Sequence, residues 1–174
     1  MNEIEQTLAQ VKNFQFIHEH LLSSGQPTPE ELQLMKDYGV TSVINLAPST
    51  SANFLSHQDQ LCLDIGLNYL HIPIGMDTPS AEQCLLVLDL IDHLVEQQVV
   101  WVHCDNNQQV SSLMYLYRQY YMQMDMATAH ELLEQVWEPN ATWTGLIHAI
   151  SVQLQGRRAT QELQQSLISA NHFA

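Results

Sequence analysis

Basic residues are scarce in this chain: five Lys plus Arg stand against nineteen Asp plus Glu, a formal charge of −14 with histidine neutral. A field of that sign repels nucleic-acid phosphates and anionic membrane surfaces, so the expected partners include no nucleic acid and no membrane. Cysteines are equally few. Cys62, Cys84 and Cys104 form neither a paired framework nor a close-spaced metal pattern, which suits a reducing compartment and calls for no metal and no cofactor. No apolar run reaches the roughly 20 residues of a membrane span, and Met1-Asn2-Glu3-Ile4-Glu5-Gln6 lacks the basic and apolar regions of a signal peptide, so the expected location is cytoplasmic. There is no internal repeat and no long polar linker. With 174 residues, 45% of them hydrophobic and 14% charged, the chain reads as one globular domain over 1–155 followed by a helical or frayed C-terminal tail over 156–174.

What is present is an alternation of strands and helices. An amphipathic turn or two (Ile4, Leu8, Val11) precedes short strands at 14–17 and 21–22, expected at a sheet edge. Thr28-Pro29-Glu30-Glu31 starts a helix with Thr as N-cap, Pro at N1 and Glu at N3, and Gly39 ends it. Strands at 41–46 and 69–72 flank a helix ending near Gly66. Asp77-Thr78-Pro79-Ser80 then caps a helix whose Cys84, Leu85, Leu88, Ile91 and Val95 recur at helical spacing. Further helices are expected from Gln109 to about Gln123, over 127–137 and over 142–155. Strands separated by helices of ten to fifteen residues predict an α/β fold, a mostly parallel sheet with helices on both faces.

The chain is organised around Val99-Val100-Trp101-Val102-His103-Cys104-Asp105-Asn106-Asn107-Gln108-Gln109-Val110-Ser111-Ser112. A buried strand runs into a polar loop that opens a helix, and this places a thiol at a helix N-terminus. Unpaired N–H groups and the positive end of the helix dipole make such a turn a cup for oxyanions and can stabilise a thiolate. Ligands of open α/β sheets sit outside the C-terminal strand ends, where Cys104 stands. His18-Glu19-His20, two alternating histidines without further ligands, is too sparse for a metal site.

The loop resembles that of the cysteine-dependent protein tyrosine and dual-specificity phosphatases, His-Cys-x5-Arg-Ser/Thr, and the shorter His-Cys-x4-Arg form of the bacterial beta-lactamase-hydrolase-like phosphatase family. Ser24-Gly25-Gln26-Pro27-Thr28-Pro29-Glu30, Tyr38 to Leu46 and Leu70-His71-Ile72-Pro73-Ile74 resemble that family's successive landmarks, over roughly residues 14–147. The resemblance implies a protein-tyrosine-phosphatase-like fold and a loop (His103, Asp105, Asn106, Asn107, Gln108, Gln109, Val110) that holds a phosphate-like ligand. It also implies Cys104 as nucleophile and Asp77 as general acid. Ser111 would assist thiolate departure in the longer register, or only cap or back-bond the helix in the shorter one.

The family's arginine is missing. Gln109 holds its place in the shorter register and Val110 in the longer; Asn107 replaces the mid-loop glycine, and Ala47 the basic residue after the strand at 41–46. An arginine fork in a transition-state clamp is worth several kcal/mol, and glutamine brings a donor without charge. Arg118 lies nine residues further on, roughly 13 Å along the helix at ~1.5 Å per residue. Asp105 is expected to raise the thiol pKa by like-charge proximity. The leading expectation is therefore a phosphatase-like chain with impaired catalysis that binds a small anionic ligand or a protein partner, with the tail a candidate surface for a partner or second copy. The alternatives are a weak or specialised Cys104 phosphatase and a cysteine redox or sulfur-transfer protein.

Overall fold

The computed structural model describes residues 3–172; Met1, Asn2 and the last two residues of the expected tail lie outside them. Five strands, β1 (Gln15–His18), β2 (Leu21–Ser24), β3 (Ser42–Asn45), β4 (Asn68–His71) and β5 (Val100–His103), form one sheet in the order β1-β2-β5-β3-β4. All neighbours run parallel except the β1–β2 hairpin. β5 lies at the centre, with His103 level with Ser24 on one side and Asn45 on the other. Residues 21–22 were expected at the sheet edge. Instead β2 is interior, fully buried and hydrogen-bonded to β5 along its length, and β1 alone takes the edge on that side.

Alternation along the strands divides two cores. Leu21, Ile44, Val100 and Val102 face one layer, formed by α4 (Ala81–Leu94), α5 (Gln108–Tyr120) and α7 (Ala141–His172), with α6 (Met126–Glu134) packed on α5. Leu22, Val43 and Trp101 face the other, formed by α1 (Glu3–Leu8), α2 (Pro29–Tyr38) and α3 (Gln58–Asp64). This is the α/β sheet with helices on both faces.

Local chemistry sets the helix ends. Thr28 Oγ1 accepts from the Glu31 N–H (3.2 Å) and Glu31 Oε2 from the Thr28 N–H (2.8 Å), the reciprocal box read from sequence. Gly39 closes α2 at φ 114°, where a Cβ would be strained. α5 ends at Tyr120 rather than near Gln123, which has turned to φ 59°, and α6 stops at Glu134 rather than Trp137.

The last helix runs without a break to His172, past the expected end at Gln155. Gly156 lacks the positive φ of a C-cap, so nothing local stops the helix there. Packing ends sooner. Trp143, Ile150 and Leu154 are buried, whereas every residue from Gln155 to Ala170 is exposed, Leu163 and Leu167 among them. No helix among the described residues is long and apolar enough to cross a membrane.

Candidate active site

The loop begins where β5 leaves the sheet. Cys104 is fully buried, and the N–H groups of Asn106, Asn107, Gln109 and Val110 are directed at its sulfur. These bonds favour the thiolate, but burial is the larger effect and raises the thiol above its ordinary value. The rise expected from Asp105 is present, but burial causes it and Asp105 is not among its causes. Asp105 turns its carboxylate to other partners: Oδ1 accepts from the Asn53 N–H (2.9 Å) and Oδ2 from the Asn106 amide (3.0 Å).

Asn107 stands in the glycine's place at φ 61° and ψ 9°, a left-handed conformation that asparagine tolerates better than most residues. Its buried amide donates to the Asn13 carbonyl (2.6 Å) and to Ser23 Oγ (3.3 Å), while the Asn13 amide donates back to the Asn106 carbonyl (2.9 Å). The Gln26 N–H reaches the Asp105 carbonyl (3.1 Å). Gly25 is needed for this approach, because a Cβ there would lie 3.0 Å from the Asp105 carbonyl oxygen and 3.2 Å from that of Lys12. The segments 12–13 and 23–26 therefore clamp the loop, a contact across some ninety residues that local pattern does not signal.

His103 is fully buried and is held by a side-chain relay. Gln26 Nε2 donates to Gln58 Oε1 (3.0 Å), which turns Gln58 Nε2 toward His103 Nε2 (2.8 Å). The imidazole accepts there and carries its proton on Nδ1, beside the Cys104 backbone, which favours the charged ring against burial. Burial pushes His103 down to about 3. Because the unfolded imidazole keeps its ordinary value near 6.5, the unfolded state takes up the proton first as pH falls. This contribution to stability is complete above that pH and is lost progressively toward pH 3. At pH 5 the expected loss is about 2 kcal/mol. Urea midpoints between pH 7 and 4 should fall accordingly, and a His103→Asn variant should give a shallower slope; equal slopes would refute the assignment.

Gln109, the residue at the arginine's place, is also buried, and its side-chain Nε2 donates to the Ile74 carbonyl (2.9 Å). It meets the thiol through its backbone alone. Val110 is buried and likewise contributes its N–H. The Gln108 carbonyl accepts from Ser111 Oγ (3.1 Å) and Ser112 Oγ (3.0 Å), so Ser111 back-bonds the first turn of its own helix. Asp77 lies exposed in the segment between β4 and α4, whose Pro73, Ile74 and Met76 carbonyls accept from Gln83 Nε2, Gln109 Nε2 and Trp143 Nε1, each at 2.9 Å.

Arg118 is buried in α5, pushed down to about 10 by burial, with Nη1 donating to Gln15 Oε1 (3.3 Å). Lys12, a cation that sequence reasoning did not single out, lines with Gln26, Asn53, Leu55 and Asp105 a cavity of about 310 Å³. His18 and His20 turn to Tyr117 and to the Val95 carbonyl, and no group of three or more His, Cys, Asp or Glu among the described residues could hold a metal ion.

This architecture is shared with solved structures. A DUF442 phosphatase-like protein from Shewanella putrefaciens CN-32 superposes with a TM-score of 0.76 at 27% identity, covering 86% of this chain and 97% of its own. Tk-PTP in its active form gives 0.68 at 19% identity, covering 80% and 96%. The catalytic domain of the Saccharomyces cerevisiae PP-IP phosphatase SIW14, bound to citrate, gives 0.70 at 13% identity, covering 87% and 93%. At those lower identities the likeness concerns the fold. No curated protein matches the sequence. One family profile does, over residues 20–109, from the start of β2 to the first turn of α5 and including Cys104. With just over half of its length matched, the chain belongs to the Tc-R-P family, described as the DSP-PTPase phosphatase of polymorphic toxin systems, within the cysteine-dependent phosphatase superfamily.

Proposed function

We propose that this chain is a phosphatase-fold protein that has given up turnover and uses the Cys104 loop to bind a small anionic, phosphate-like ligand or a protein partner. One observation carries the reading: the thiol is fully buried, and the side chain in the arginine's place is spent on a backbone carbonyl. A neutral amide so engaged offers no charge to a phosphoryl group. The cavity lined by Lys12 and by Asp105 of the loop supports a ligand bound beside the loop. All three cysteines are free, which fits a cytoplasmic setting.

The test is hydrolysis of a generic aryl phosphate by the purified full chain from acidic to neutral pH, with Cys104→Ser as the contamination control. Wild-type and variant rates are expected to coincide. Turnover lost in Cys104→Ser would overturn the reading in favour of a weak phosphatase, which the four N–H groups converging on Cys104 favour as a second possibility. A redox or sulfur-transfer role needs a thiol that ionises readily, and burial acts against it.

A further inference from the structure

Trp143, Ile147, Ile150 and Leu154 form the row by which α7 packs on the rest of the molecule, buried or half-buried at helical spacing. The same row continues as Arg157, Gln161, Gln164 and Ile168, with Arg157 anchored on the Asp89 carboxylate (2.9 Å). The exposed Val152, Leu163 and Leu167 stand on the opposite side of the helix, in line with Ala159 and Ala170. This second apolar row faces away from its own domain, so folding the overhang back onto the core would leave it in water. Residues 155–170 are exposed throughout, over roughly 24 Å at ~1.5 Å per residue, and include Gly156, Thr160, Ser166 and Ser169, which favour a helix weakly. A helix of that length and composition is marginal in water unless an apolar face is covered. We infer that a second copy of this chain covers it, the C-terminal halves of two α7 helices pairing antiparallel about a two-fold axis between residues 164 and 165.

The pattern of the outer row argues for a second copy. Ala159, Leu163, Ser166 and Ala170 follow one another in steps of four, three and four, the heptad spacing of a two-helix seam, and the row reads the same in both directions. Antiparallel pairing therefore sets Leu163 against Ser166 of the partner subunit and Ala159 against Ala170 of the partner subunit, with Leu167 closing the flank. A two-fold interface requires this self-complementarity. Charge argues for the same face. At −14, two copies repel over most of their surface, yet residues 155–170 carry two of the five basic residues, Arg157 and Arg158, and one acid, Glu162. The antiparallel arrangement also brings Arg157 and Arg158 level with the C-terminal end of the other α7, the negative end of its dipole. The seam is short, which places the pair at the small, reversible end of protein interfaces.

The inference is independent of what the Cys104 loop binds. Sedimentation velocity of the full chain over a concentration series tests it, and the wild type is expected to pass from monomer to dimer in the micromolar range. Leu163→Glu, which sets a charge at the centre of the seam, is expected to abolish the dimer. Gln165→Glu adds the same charge away from the seam and is expected to shift the dissociation constant less than twofold. Ser166→Leu places a second apolar side chain against Leu163 and is expected to tighten the dimer at least tenfold, a gain that an unfolded variant could not give. Spin labels report the orientation, since the native cysteines are buried. Labels at Gln153→Cys are expected about 35 Å apart across the axis, and labels at Gln165→Cys within about 20 Å. A wild type that stays monomeric up to about 1 mM would overturn the proposal. So would a dimer that survives Leu163→Glu, one weakened equally by Gln165→Glu, or labels at Gln153→Cys within about 20 Å of each other, the spacing of a parallel pair.

Discussion

Replacing Gln109 with arginine is expected to destabilise the fold by about 3–5 kcal/mol without creating an active enzyme. The position is 2% exposed, so the longer side chain must either displace Ile74 or bury a guanidinium with no acid beside it. Overpacking of a filled site costs about 1–3 kcal/mol, and an uncompensated buried charge costs several more. The loss should be conditional. An anion reaching the loop amides would pair with the new charge, so inorganic phosphate is expected to stabilise the variant more than the wild type, by an amount that grows with the logarithm of concentration. Thermal melts with and without phosphate measure both effects. Aryl-phosphatase activity gained in Gln109→Arg and lost again on adding Cys104→Ser would mean that the loop lacked only a cation, and the weak-phosphatase reading would replace the binding one.

Trp143→Ala should cost about 3–5 kcal/mol, the usual range for emptying a large aromatic site in a core. Trp143 is fully buried, packs edge-on against Trp137 at 6.2 Å between ring centroids, and donates its indole N–H to the Met76 carbonyl. For a chain of this size the melting temperature is expected to fall by roughly 10 °C. Trp143→Phe keeps most of the packing and removes the donor, so its cost should be nearer 1–2 kcal/mol, the range for a buried acceptor left unpaired. Urea unfolding of the two variants separates packing from hydrogen bonding. A Trp143→Phe variant as stable as the wild type would show that the bond to the 73–76 segment contributes nothing.

The fold was largely readable because its signals are local. The Thr28 to Glu31 box, the Gly39 stop, the Ser80 cap and the helical spacing of Cys84, Leu85, Leu88 and Ile91 each act within one or two turns of their own helix. The misjudged elements depend on partners. Leu21-Leu22 reads as a short edge strand until β5 is seen to pair with it, and the last core helix reads as ending at Gln155 because sequence shows where apolar packing stops, not where backbone bonding stops.

The candidate site divides along the same line. Sequence alone determined that a cysteine stands between a central strand and a helix start, that no arginine follows it in either register, that Asn107 occupies a glycine's position, and that the chain as a whole is strongly acidic. These are facts of composition and spacing. Tertiary structure alone decided where the side chains went. It brought Lys12 and Asn13 to the loop from across the sheet, built the Gln26–Gln58–His103 relay, turned Asp105 away from the thiol, and sent the Gln109 amide to Ile74 instead of into the cup. The physical reason is common to all of these. A strand or a cap is fixed by its neighbours in sequence, whereas the destination of a buried amide is fixed by whichever unpaired carbonyl the packed core leaves within its reach.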